Sequence, residues 1–165
     1  MRLLWATVAG GLALQAGALA AQSQLTPPVT PQPMMLLHQK EWSADGICIA
    51  PDQCGFCSAR NASQTDILLE VAPPDAVAVT IAGATQSTTA AIEIGAKRFR
   101  LYAGTRRFIA GRADGRRIIQ AMRRVSTLVL HVGDETAARP YAYSLAEFPK
   151  AYAAILKACP AAALK

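Results

Sequence analysis

Three of the four cysteines fall within ten residues, CIAPDQCGFC (48–57), and the fourth, Cys159, lies 102 positions beyond the last of them. No other feature limits the fold so strongly. Any covalent link from this cluster to Cys159 must bring the start and the end of the folded body together. Whether such a link forms depends on where the chain goes.

Residues 1–20, MRLLWATVAGGLALQAGALA, have the layout of a secretory signal peptide. Arg2 supplies a short positive region, Leu3 to Leu14 form an apolar run, and Ala18 and Ala20 frame a cleavage site before Ala21. A membrane-spanning helix needs about 20 apolar residues, more than this run supplies, and no cysteine follows it as a lipidation point. The expectation is export with cleavage, to the periplasm, the cell surface or the medium, with no membrane span.

An even number of cysteines in an oxidising compartment favours two disulfides. Three connectivities are possible and spacing alone does not choose among them. The preferred reading pairs Cys48 with Cys54 as a local clip and Cys57 with Cys159 as a long-range tie. Two other readings compete. Cys54-Gly55-Phe56-Cys57 has the spacing of a thioredoxin-type redox site, but the flanking SADGICIAPDQ and SARNASQT lack the buried strand and apolar helix such a site needs. A zinc site from Cys48, Cys54, Cys57 and His38 would lack a second ligand pair at metal spacing. The chain is therefore assigned no catalytic residue, no metal and no cofactor. His38, beside the proline-rich stretch, and His131, inside an apolar run, read as surface or packing residues.

QLTPPVTPQPMM (24–35) carries four prolines, so residues 21–35 read as an extended, flexible tether. Residues 36–160 then suit one domain, followed by a short disordered tail, 161–165. Within the domain, DILLEVA (66–72), AVAVTIAG (76–83), TAAIEIG (89–95), KRFRLYAG (97–104), RRFIAG (106–111), STLVLHV (126–132) and PYAYSL (140–145) read as strands. Phe99 and Leu101 alternate with Arg98 and Arg100, the mark of one dry and one wet face. Gly95-Ala96 reads as a tight turn, and Asp134-Glu135 as the turn of a last hairpin.

Two stretches are helical. ADGRRIIQAMRRV (113–125) offers Asp114 as N-cap and Ile118, Ile119, Met122 and Val125 as one stripe. SLAEFPKAYAAILKAC (144–159) offers a capping box from Ser144 and Glu147, with Phe148, Tyr152, Ile155 and Leu156 as its buried stripe. Seven or eight short strands with two helices predict a mainly β fold: an antiparallel β-sandwich with an internal amphipathic helix and a C-terminal helix.

The order AIEIGAKRFRLY (91–102), RRIIQAMRRVSTLVL (116–130) and AYSLAEFPKAYAAILKACP (142–160) resembles the invasion-associated locus B family of exported bacterial proteins. Trp42 with the downstream Cys57 is similar to that family's N-terminal tryptophan and cysteine. The resemblance implies a periplasmic or surface-associated β-sandwich, linked in some members to host-cell invasion and without a characterised catalytic site. Glu147, where many members carry glycine, and the extra cysteines at 48 and 54 depart from the family pattern.

Charge is the remaining signal. Lys97 to Arg124 holds ten cations (Lys97, Arg98, Arg100, Arg106, Arg107, Arg112, Arg116, Arg117, Arg123, Arg124) against the single acid Asp114. That is +9 locally in a chain of formal charge +6, so the rest is mildly acidic. Nine of the ten are arginine, whose forked donors suit phosphate, sulfate and carboxylate. The expected partners are anionic: envelope lipid, lipopolysaccharide or host glycan. Nucleic acid is not expected, because the chain is exported and has no pattern of stacking aromatics. A merely solvated arginine face is the competing reading, and a periplasmic thiol–disulfide protein acting through Cys54 and Cys57 is the alternative function.

Overall fold

The computed structural model describes residues 29–85, 88–133 and 138–160. The expected signal peptide, the first part of the expected tether (21–28), the Asp134-Glu135 turn and the tail 161–165 lie outside the described residues.

The elements run β1 (Gln32–His38), β2 (Trp42–Ala50), β3 (Gln53–Gln64), β4 (Ile67–Ala72), β5 (Ala76–Ile81), β6 (Thr89–Ile94), β7 (Lys97–Ala103), β8 (Phe108–Ile109), α1 (Arg112–Met122), β9 (Thr127–Gly133), β10 (Arg139–Ser144) and α2 (Phe148–Ala158). The fold is mainly β and antiparallel, with the internal and C-terminal helices in place. Where two stacked sheets were expected, hydrogen bonding runs unbroken through one sheet in the order β1-β2-β3-β4-β5-β8-β7-β6-β9-β10, curled into a half-barrel. The join is β8. Its Ile109 pairs with Ala78 of β5 on one side and with Tyr102 of β7 on the other. Only these two residues of the expected strand 106–111 join the sheet.

The curl has local causes. Strands twist by their own chirality, and register breaks at Met35/Leu37, Ile47/Cys48, Cys48/Ala50 and Asn61/Gln64 add bend on the β1–β4 side. The inner face then carries the alternating apolar residues, among them Leu69, Val71, Val79, Ile92, Leu101, Leu128 and Leu130, all buried. Helix α1 packs on β5 and β6, and α2 on β1, β2 and β3.

The tether ends earlier than expected. Gln32 to Met35 lie in β1, paired with Cys48 to Asp45. Pro33 is tolerated there because β1 is an edge strand, where a missing amide donor breaks no ladder. The strands β1, β2 and β3 were not foreseen at all.

Both helix starts also differ. Helix α1 begins at Arg112 with Gly111 as N-cap, and the Gly115 amide closes the first turn onto Gly111 O at 2.7 Å. Asp114 lies inside that turn, where a carboxylate still complements the positive helix end. Ile118, Ile119 and Met122 are buried, but the helix stops at Met122 and leaves Val125 38% exposed. Helix α2 begins at Phe148, because Ser144 is held in β10 opposite Thr127. Pro149 therefore falls in the first two helical positions, where no intrahelical donor is needed.

Glu147 makes a longer connection than a capping box. Its Oε2 accepts from the backbone N–H of Glu41 at 2.9 Å and lies 3.4 Å from that of Trp42. The Trp42 indole N–H donates to Ser144 O at 2.9 Å, and its ring lies 4.8 Å from that of Phe148. The start of β2 is thus hooked to the start of α2. The Glu41 amide bond holds the Glu147 carboxyl below its ordinary value, against an opposing desolvation effect. A depressed folded value gives stability that is present above the unfolded carboxyl value, about 4.3, and is lost as pH falls through the folded value. In Glu147→Gln this dependence is expected to vanish. Urea midpoints of wild type and variant should converge between pH 7 and pH 2.5, and a difference independent of pH would refute the hook.

Candidate functional site

Two features of the sequence pointed to chemistry, the cysteines and the arginines; the sheet holds Cys57 on its inner face and Arg98 and Arg100 on its outer face.

The sulfurs occupy the inner face. Cys48 is bonded to Cys54 and Cys57 to Cys159, the preferred pairing. In a regular strand Cys54 and Cys57, three apart, would point to opposite faces. Here Phe56 pairs with Ile47 and Cys54 with Cys48, so Gly55 is the extra residue of a bulge and both cysteines face inward. Opposite Cys57 stands Gly46. A Cβ at Gly46 would lie 2.8 Å from Cys48 Sγ, 3.2 Å from Cys54 Sγ and 3.3 Å from Cys57 Sγ, so sulfur fills the space a side chain would take. The Sγ atoms of Cys54, Cys57 and Cys159 lie within 4.8 Å of one another. Cys48, Cys57 and Cys159 are buried, whereas Cys54 is only partly so.

The arginines do not form one patch. Arg107 reaches Glu70 at 3.7 Å, Arg112 and Arg116 reach Asp75 at 4.0 and 3.4 Å, and Arg117 reaches Asp114 at 3.5 Å. Arg123 lies over the Tyr152 ring, 5.7 Å from its centre. Arg98, Arg100, Arg106 and Arg124 have no ion pair among the described residues. The sequence-distant acids Glu70 and Asp75 thus divide the cations into a paired group and a free one.

Arg98 and Arg100 share the outward face of β7 with Tyr102, which is 57% exposed. Glu93 sits opposite Arg98 in the ladder, but its Oε2 lies 2.9 Å from His131 Nε2 on β9. Ala91 pairs with Arg100 on one side and His131 on the other. A methyl group between two long side chains leaves an open recess of about 440 Å³, lined by Thr89, Ala91, Arg98, Arg100, His131 and Ala138. Sequence reading placed the arginines on a wet face but missed Thr89, Ala91 and His131. Their strand pairing is the only signal that brings them together, and it is not local.

His38 ends β1. It stands apart from both features. Among the described residues no helix is long and apolar enough to cross a membrane. The chain matches no known family model, no curated protein and no solved structure.

Proposed function

We propose that this is an exported, non-enzymatic envelope protein of the invasion-associated locus B type that contacts phosphate- or sulfate-bearing surfaces through the outer face of β6, β7 and β9. One observation carries the reading: Arg98 and Arg100 stand side by side beside an open recess, with no carboxylate partner among the described residues. Guanidinium groups left free in this way retain both charge and forked donors for an oxyanion. The neighbouring Tyr102 and Ile109, both exposed and paired across β7 and β8, add an apolar margin suited to a lipid head-group boundary. Two disulfides support an oxidising compartment. The family type rests on the order of sequence motifs.

The test compares binding to vesicles containing an anionic phospholipid, to lipopolysaccharide and to a heparin column. At about 1 kcal/mol per basic residue near an anionic surface, Arg98→Ala with Arg100→Ala should weaken vesicle partitioning about 30-fold. The paired Arg112→Ala with Arg116→Ala should change it far less. Equal losses in the two double variants, or retention no stronger than that of a charge-matched control protein, would refute the assignment. The alternative use of Cys54 and Cys57 as a redox pair keeps one support, the closeness of their sulfurs, since each is bonded elsewhere.

A further inference from the structure

Two disulfides pack against one glycine, Gly46. We propose that the four sulfurs form an intramolecular thiol–disulfide relay with Cys54 as its entry point: opening Cys48–Cys54 lets Cys54 re-pair with Cys57 and release Cys159. This is independent of the anion-binding reading.

Four observations carry it. Cys54 is the one cysteine of the four that is not fully buried, so an external thiol meets its sulfur first. The Gly55 bulge turns Cys54 and Cys57 to the same face, which a regular strand would not do. The Sγ atoms of Cys54, Cys57 and Cys159 are within 4.8 Å of one another, so a Cys54 thiolate needs only a side-chain rotation to reach the second disulfide. Gly46 adds room beside them, since a Cβ there would fall among the sulfurs of Cys48, Cys54 and Cys57.

The chemistry balances in two stages. An external dithiol attacks Cys54 Sγ, Cys48 leaves as thiolate, and the second thiol of the reductant frees Cys54 as its own disulfide forms. Two electrons have then passed to the protein, and Cys48 and Cys54 are reduced. The Cys54 thiolate next attacks Cys57 Sγ. The Cys54–Cys57 bond forms, the Cys57–Cys159 bond breaks, and Cys159 leaves as a thiolate that takes a proton from water. This second stage moves no net electrons. Its product holds a C-x-x-C disulfide, and Cys159, the residue that closes α2, is no longer tied to the sheet.

Cys48→Ser tests the second stage without any reductant, because it leaves Cys54 as a thiol. After incubation at pH 8, acid quench, alkylation and peptide mapping, at least a tenth of the molecules should carry alkylated Cys159 with Cys54 linked to Cys57. Alkylation confined to Cys54 after a day would overturn the relay. Should that variant fold poorly, wild-type protein given one equivalent of a dithiol provides the same reading. Alkylation of Cys48 with Cys159 is the expected outcome, and alkylation of Cys48 with Cys54 alone overturns it. The re-pairing rate should be independent of protein concentration and insensitive to urea well below the unfolding midpoint. A rate that tracks global unfolding would mean scrambling and also overturns the proposal.

Discussion

Replacing Cys57 and Cys159 together by alanine is expected to lower the unfolding free energy by about 4–5 kcal/mol, the chain-entropy value for a loop of this size. The bond joins residues 102 apart in sequence, so its removal frees the unfolded chain far more than loss of the local clip. The same relation gives only about 2 kcal/mol for Cys48–Cys54, which spans six residues. A small domain has about 5–15 kcal/mol in total, so the first variant should be near its limit at 37 °C and the second should not. Urea unfolding of both double variants measures the contrast directly. Equal losses would mean that the tie acts by packing around the sulfurs and not by restricting the unfolded chain.

The second large effect belongs to Gly115. Glycine inside a helix costs about 1 kcal/mol relative to alanine, so Gly115→Ala taken alone would stabilise α1. Packing reverses the sign. A Cβ there would fall 1.8 Å from Asp75 O and 2.9 Å from its carbonyl carbon, and neither atom can rotate away as a side chain could. Overpacking of a core costs about 1–3 kcal/mol, occasionally more, and an obstacle of backbone belongs at the upper end. Helix α1 must back away from the β4–β5 connection, which also loosens the Arg112 and Arg116 pairs to Asp75. The expected net loss is about 2 kcal/mol, read from thermal or urea unfolding. A variant as stable as wild type would show that the helix does not sit this close to Asp75.

What the residues disclosed in advance follows the kind of signal each element carries. Strands β4 to β7, β9 and β10 have apolar residues at alternate positions, and each was legible. Strands β1 to β3 were not. The inward positions of β2 are Trp42, Ala44, Gly46 and Cys48, and β3 buries Ser58 and Asn61, so small and polar residues hide the alternation. Cystine sulfur supplies the bulk there, and the Gly55 bulge shifts the phase. The sandwich reading failed at β8, because two residues joining two halves leave no periodicity to read. The partition of the arginines was hidden for a related reason. Asp75 lies 41 positions before Arg116, and only the packing of α1 brings them together.

Helix α2 is fastened at both ends, by the Glu147 carboxylate at its start and by Cys159 at its close. A polypeptide made N-terminus first presents Cys48, Cys54 and Cys57 almost together, long before Cys159. Oxidation before Cys159 arrives would find three thiols and a missing fourth, so an early bond has to be either Cys48–Cys54 or one that must later be undone. The order in which the thiols arrive thus matters as much as the sequence, with the close of α2 deciding when the first strands are sealed.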